Sequence, residues 1–125
     1  MEGTSIHAVM GIGGAPEGVL AAAAMRCLNG EIFARLVMNK PGDDERARAM
    51  GVSDFKKIYT AEDLAPGSDI IYAATGVTDG KLMDGVRFFG GGVRTHSLVM
   101  QTNPPRIRFV DTIHVTDASD VKIRF

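Results

Sequence analysis

The sequence predicts an α/β domain whose mixed sheet begins with βαβ units and ends in a cluster of antiparallel strands. Three observations support this class. A short apolar stretch leads through a glycine-rich loop into an alanine-rich helix, and the run DIIYAAT, residues 69–75, is almost continuously apolar. From Val86 onward, alternating polar and apolar residues are separated by turns rather than by helices. With 125 residues and 45% hydrophobic content, the chain has the size of one domain, residues 1–125.

The first half of the chain alternates strand and helix signals. We predict strands over Ser5–Met10 and Glu31–Met38. A helix over Ala15–Leu28 should end at Asn29 and Gly30, which favour the left-handed conformation that follows helices. A second helix over Pro41–Met50 has its acids before its bases, as the helix dipole prefers.

The second half begins with a short helical turn and then becomes strands. Thr60 is a predicted N-cap for the acidic turn that follows it. The apolar run Asp69–Thr75 suits a strand covered on both faces. Three further strands are expected, separated by the turns GGG and NPP. They cover residues 86–89, Thr95–Gln101 and Arg106–Val115.

Charge and composition exclude several classes of partner. A net charge of −1 argues against a dedicated surface for nucleic acid or anionic membranes, both of which require a basic excess. The longest apolar run, Val19–Met25, is too short to cross a bilayer, and we find no secretory signal. A single cysteine, Cys27, excludes an internal disulfide. We expect a cytoplasmic protein whose partners are small molecules or proteins.

The loop and helix start GIGGAPEGV, residues 11–19, form a candidate anion site. A glycine loop between a strand and a helix N-terminus can direct unpaired N–H groups and the positive end of the dipole at one point. The loop lacks the Gly-Lys-Ser/Thr of a Walker motif, and Pro16 interrupts the dinucleotide fingerprint. Glu17 either complements the helix dipole or holds a divalent cation that bridges to a bound phosphate.

A second loop, ATGVTDG, residues 74–80, follows the apolar run and offers Thr75 and Asp79. If the strands ending at Gly11 and Thr75 are parallel neighbours, both loops lie at the carboxyl edge where such sheets bind ligands. Asp79 before Gly80 is otherwise a turn former. In RTHSLVM, residues 94–100, Arg94 and His96 are interpreted as the polar face of a strand.

Several motifs resemble those of class II fructose-1,6-bisphosphatase and occur in the same order as in that family. Together they extend over about residues 6–114. They are MGIGGAPEGVLAAAAMRCLNGEIFARL, DDERARAMG, IIYAATGVTDG, GVRFFGGG and THSLVM. GIGGAPEGV and ATGVTDG together carry most of the specificity. Arg94 stands where the family leads us to expect an acid, and the tail after His114 carries no motif that we can place.

The resemblance implies the C-terminal lobe of a gluconeogenic sugar phosphatase related in fold to the inositol phosphatases. Such an enzyme removes the 1-phosphate of fructose 1,6-bisphosphate with Mn or Mg, and some relatives accept sedoheptulose 1,7-bisphosphate. Glu17 then corresponds to a metal ligand and Gly14 to a substrate contact. Together with the two loops described above, this makes Gly13, Gly14, Thr75 and Asp79 the predicted substrate-binding positions.

The other metal carboxylates of that family lie in an N-terminal lobe that this sequence does not contain. No catalytic residue is therefore assigned here. We expect the isolated chain to be inactive and the complete protein to be a homo-oligomer. The alternative is a non-catalytic module that binds sugar phosphates or regulates another protein.

Overall fold

The computed structural model describes residues 7–115, which form three helices and a four-stranded sheet. This confirms the α/β class. The elements in chain order are α1 (Ala15–Cys27), α2 (Asp43–Ala49), α3 (Ala61–Leu64), β1 (Ile71–Thr75), β2 (Arg87–Phe89), β3 (Gly92–Thr102) and β4 (Pro105–Val115).

The long strand β3 lies at the centre of the sheet. Along one edge it pairs with β1 and, further on, with β2, and along the other edge with β4. All three pairings are antiparallel, and the β3–β4 register runs from Gly92 opposite Val115 to Thr102 opposite Pro105. The antiparallel cluster predicted after Val86 is thereby confirmed.

The principal core lies where α1 covers one face of the sheet. Helix α1 packs on β1, β3 and α3. Leu98 and Met100 are buried on β3, and Ala22 is buried on α1. Since Leu98 and Met100 alternate with less buried residues, they define one sheet face, which we call the helix side.

The predicted helix boundaries agree closely with the structure. Asn29 adopts φ 54° just after α1, as a residue following a helix end often does. Thr60 caps α3 through a capping box with Asp63, in which each side chain accepts from the other residue's backbone N–H. Helix α2 begins at Asp43, after Gly42 in the left-handed conformation, rather than at Pro41.

Two predicted strands and the βαβ units were wrong. Residues 7–10 contain no strand, and Ser5 and Ile6 lie outside the described residues. The segment Glu31–Met38 contributes a single bridge, between Ala34 and Tyr59. A strand requires a neighbour to pair with, and within residues 7–115 neither segment has a continuous one. The sheet consequently contains no parallel pair in this part of the chain.

Strand β1 is covered on one face rather than on both. Tyr72 and Ala74 are half-buried on the helix side, whereas Ile71 is 75% exposed on the opposite face. The difference arises because the described helix that packs on β1 lies on one side of the sheet. Contacts among the described residues therefore explain the apolar residues on one face of β1 but not those on the other.

Large apolar side chains are exposed throughout the described residues, and among them no large side chain is fully buried. Large exposed apolar patches often mark surfaces that contact another part of a protein or a partner. Within residues 7–115, no helix has both the length and the apolar character needed to cross a membrane. The most exposed large apolar residues are Val9, Met10, Ile12, Phe33, Met50, Ile71, Val77, Phe88 and Val115.

Truncation of a core residue on β3 should cost much more stability than truncation on β4. Leu98 is 5% exposed, whereas Ile113 is 61% exposed on the same face of the sheet. We expect Leu98→Ala to lower the free energy of unfolding by about 2–4 kcal/mol and Ile113→Ala by less than about 1 kcal/mol. Urea denaturation of both variants measures this, and equal losses would place Ile113 in the core of the isolated chain.

Candidate functional site

The glycine loop leads directly into α1. Gly14 is the N-cap in an extended conformation and makes no side-chain cap bond. Ala15 and Pro16 are the first two helical residues, and the first helical hydrogen bond joins the Gly18 N–H to the Gly14 carbonyl at 3.1 Å. The N–H groups of Ala15 and Glu17 therefore precede the helical ladder, beside the positive end of the helix dipole.

The carboxylate of Glu17 folds back over Gly14. A Cβ added to Gly14 would overlap Oε2 of Glu17 and would lie 3.3 Å from its Cδ. Glycine at position 14 thus leaves the space that the carboxylate occupies. Glu17 is itself exposed, so its oxygens are available for a further ligand.

The other glycines of the loop have a different environment. A Cβ at Gly11, Gly13 or Gly18 would meet no atom within 4 Å in the described part of the chain. Close packing inside residues 7–115 therefore explains Gly14 but not Gly11 or Gly13. These two positions keep the backbone accessible beside the start of α1.

The second loop, predicted over residues 74–80, begins in the structure after Thr75 at the end of β1 and extends to residue 86, where it closes through direct backbone contacts. The N–H of Gly76 donates to the His96 carbonyl at 3.0 Å, and the N–H of Val86 donates to the Val77 carbonyl at 3.1 Å. A Cβ at Gly85 would lie 2.7 Å from the carbonyl carbon of Thr78, and one at Gly76 would overlap the Asp84 carbonyl oxygen. Both glycines are thus required by close approach of the backbone.

Asp79 holds this loop closed. Its Oδ1 accepts from the Gly85 N–H at 2.8 Å, and Nη2 of Arg87 lies 2.8 and 2.7 Å from its two oxygens. The Arg87 hydrogen bond, reinforced by the Gly85 N–H, holds the pKa of Asp79 below its ordinary value. Thr75 and Ser97 share a hydroxyl hydrogen bond of 2.8 Å across β1 and β3.

A row of charged side chains lies on the helix side beyond α1. Arg94 forms a bidentate ion pair with Asp111. Nδ1 of His96 accepts from the Asp84 N–H at 3.1 Å. Arg94 and His96 were predicted on a polar strand face, which was wrong, because they share the face of Leu98 and Met100.

Sequence reasoning missed Asp84, Arg87 and Asp111 as members of these charged pairs. A signal for Asp111 was present: a two-residue turn at Asn103 and Pro104 would have set His96 opposite Asp111. Arg94 lies diagonally from Asp111 on the same face. No comparable local signal pairs Asp79 with Arg87.

The parallel pairing that would bring the two loops to one edge of the sheet is not present in the described residues. Strand β1 pairs antiparallel with β3, and residues 7–10 form no strand parallel to it. Between the glycine loop and the second loop, no hydrogen bond or ion pair occurs among residues 7–115. The described residues also contain no cluster of three or more His, Cys, Asp or Glu side chains that could hold a metal.

Comparison with known families gives the class of this protein. Residues 1–114 match the family described as bacterial fructose-1,6-bisphosphatase, glpX-encoded, and the chain belongs to this family.

Three relatives show which members of this family the chain is similar to. It is 50% identical over 125 residues to the D-fructose 1,6-bisphosphatase class 2/sedoheptulose 1,7-bisphosphatase 2 of Acaryochloris marina, a match that covers 90% of this chain and 36% of that protein. It is 46% identical to the enzyme of Synechocystis sp. named D-fructose 1,6-bisphosphatase class 2/sedoheptulose 1,7-bisphosphatase, with 95% and 38% covered. The identically named protein of a Synechococcus sp. is 48% identical, with 92% and 37% covered. The chain thus spans somewhat more than a third of the length of these relatives.

Removal of the Asp79 carboxylate should open the second loop. In Asp79→Ala, the Gly85 N–H and Arg87 lose their acceptor, so we expect the Gly85 amide to exchange with solvent markedly faster. Asp84→Ala is the matched control, since the Asp84 carboxylate is largely exposed and 3.9 Å from its nearest partner, His96. Amide hydrogen exchange followed by NMR measures both.

The same loop should respond to acid. Because the folded state lowers the pKa of Asp79, the stabilisation of the loop by this carboxylate is present at neutral pH and is lost as the pH falls below about 4, the ordinary range of an aspartate.

Unchanged Gly85 exchange in Asp79→Ala, with correction for intrinsic rates, would show that the loop closes without this carboxylate.

Proposed function

We propose that this chain forms the C-terminal part of a metal-dependent class 2 fructose-1,6-bisphosphatase. The complete enzyme hydrolyses the 1-phosphate of fructose 1,6-bisphosphate to give fructose 6-phosphate, with Mn or Mg as cofactor. The observation that carries the proposal is the seating of the Glu17 carboxylate over Gly14, within a stretch that belongs to the matched family.

Glu17 suits a hard divalent cation. Its exposed carboxylate supplies the oxygen donors that Mg and Mn prefer, and the absent side chain at Gly14 leaves room for it. A bound cation in such a site neutralises phosphoryl charge and activates water. Glu17 is a single carboxylate, so the remaining ligands come from the upstream lobe, the part of the relatives that this chain does not match.

The start of α1 binds the phosphate in this proposal. The N–H groups of Ala15 and Glu17 and the positive end of the helix dipole favour an anion there. Gly13 and Gly14 let the substrate approach the backbone. Without a cation, the negative charge of Glu17 opposes the phosphate, so metal and phosphate assist each other's binding.

Thr75 at the end of β1 and Asp79 in the second loop complete the proposed substrate-binding positions. The Asp79–Arg87 ion pair supports a role for Asp79 in holding the loop in shape beside the substrate. Relatives that are named for both sugars support sedoheptulose 1,7-bisphosphate as a second substrate. In this proposal the complete enzyme is cytoplasmic and forms a homo-oligomer.

Activity should require the upstream lobe. We expect no metal-dependent phosphate release from the pure 125-residue chain, because one carboxylate cannot assemble a hydrolytic metal site. Fusion of this chain to the upstream part of the Synechocystis protein, in place of that protein's own matched segment, should restore release of the 1-phosphate. Hydrolysis by the isolated chain would contradict the first expectation, and a folded but inactive fusion would favour the non-catalytic sugar-phosphate-binding module.

Metal use in the active fusion should depend on Glu17 and on the space at Gly14. We expect Glu17→Gln to raise the half-saturating Mn concentration on the order of tenfold or more, since an anionic ligand is lost. Gly14→Ala should change it in the same direction, because the new methyl group displaces the carboxylate.

The matched control is Gly18→Ala, where a Cβ meets no atom within 4 Å of the described chain. Its half-saturating Mn concentration should stay unchanged. If Glu17→Gln leaves both the Mn requirement and the turnover unchanged, Glu17 is a helix-dipole residue.

A further inference from the structure

An apolar stripe runs along β4 on the helix side of the sheet. The register sets Ile107 opposite the buried Met100 and Phe109 opposite the buried Leu98, so these β4 residues share the face that α1 covers on β3. Ile113 and Val115 continue the same face. All four are exposed, and we call them the β4 stripe.

The opposite face of β4 is mostly polar. It carries Arg106, Arg108, Thr112 and His114, with Val110 as its apolar exception. Nη1 of Arg108 donates to the Gln101 side chain of β3 on that face at 3.1 Å. A strand with one polar and one apolar face is typical of a sheet that is covered on its apolar side.

Within residues 7–115, the packing of α1 ends at β3. The helix makes its sheet contacts with β1 and β3, and no described helix packs to a similar extent on β4. The helix side is therefore half covered: Leu98 and Met100 are buried, whereas their β4 partners are about half exposed. Burial of the β4 stripe therefore requires packing by a part of the protein outside the described residues.

We propose that the β4 stripe is the docking surface for the upstream lobe of the same polypeptide. This inference rests on the proposed function, in which the chain is the C-terminal part of a longer enzyme. Nearly two thirds of each relative lies outside the match, which is ample chain to supply the missing layer. Residues 7–9 line an apolar cleft with Ala21 and Met25 of α1, which adds apolar surface beside this helix.

The distribution of exposed apolar residues favours this occupant over a second copy of the chain. Ile71 and Phe88 are exposed on the other face of the sheet, and Met10 is 96% exposed before α1. A two-fold contact through the β4 stripe would leave these surfaces uncovered. A lobe of the same polypeptide, which in the relatives has nearly twice the length of the matched part, can contact more than one of them.

The ion pair between Arg94 and Asp111 divides the stripe into two apolar patches. Asp111 lies between Phe109 and Ile113 on the helix side. Covering this pair with apolar atoms would carry a desolvation cost, so the docked lobe meets it with polar groups or water. The lobe therefore presents an apolar–polar–apolar surface along β4.

Thiol labelling tests the proposal at neighbouring positions on opposite faces of β4. In a Cys27→Ser background, Ile113→Cys places a thiol in the stripe, and Val110→Cys places one on the other face, where Val110 is 40% exposed. Labelling rates with a small thiol reagent are compared between the 125-residue chain and the fusion with the upstream Synechocystis part. Ile107→Cys is a second stripe variant, should Ile113→Cys fail to fold by circular dichroism.

We expect the stripe thiol to react at least about tenfold more slowly in the fusion, and the Val110→Cys thiol to react at nearly the same rate in both proteins. Equal rates for the stripe thiol would overturn the proposal. So would protection in the isolated chain that grows with its concentration, since a second copy would then be the occupant. Because labelling does not depend on turnover, an active fusion with an unprotected stripe contradicts this inference alone, and an inactive fusion with a protected stripe contradicts the proposed function alone.

Discussion

Pairing to β3 is the constraint on which the rest of the described structure depends. Every other strand of the described sheet pairs with β3, and none of them pairs with another. The register with β4 decides that Leu98, Met100, Ile107 and Phe109 share one face, and this face seats α1. The same strand supplies the carbonyl of His96 to the Gly76 N–H and thereby fixes where the second loop begins. A one-residue slip of β3 would reverse all of these relations at once, because neighbouring side chains point to opposite faces.

The charged pairs extend this order beyond the apolar core. Arg87 and Arg94 lie directly opposite each other on β2 and β3, an arrangement that two like charges would disfavour. Each is neutralised by its own carboxylate, Asp79 for Arg87 and Asp111 for Arg94. These ion pairs are exposed, so they contribute little to the free energy of unfolding. Their effect is to specify how the second loop and β4 attach to the strands between them.

Local features of this chain could be predicted, and features that depend on partners could not. The start of α1, the Thr60 cap and the alternation of β3 and β4 are each encoded within a few residues, and the structure confirms them. The pairing of β1 with β3 joins residues more than twenty positions apart, and no local pattern indicates it. Strands over Ser5–Met10 and Glu31–Met38 were predicted from β-prone sequence, but β-propensity produces a strand only where a neighbour is available. For the candidate site, local pattern and family resemblance led to the prediction of Gly14 and Glu17, and the structure places the Glu17 carboxylate over Gly14. The Asp79–Arg87 contact, by contrast, required the folded loop.

In the proposed function, the groups that bind phosphate lie close together in the sequence, whereas the groups needed for catalysis come from distant parts of the protein. The extended N-cap Gly14, the N–H groups at the start of α1 and the Glu17 carboxylate are formed by residues close in sequence, so they are present in a chain that spans little more than a third of the length of its relatives. A hydrolytic metal site and a complete apolar core need groups that residues 7–115 do not bring together. If, as proposed, Glu17 is a metal ligand and one upstream lobe supplies both the other ligands and the missing layer, the contact that covers the β4 stripe also positions those ligands relative to Glu17. Docking and assembly of the metal site are then two results of the same contact, and damage to either surface would reach the other through the sheet that β3 organises.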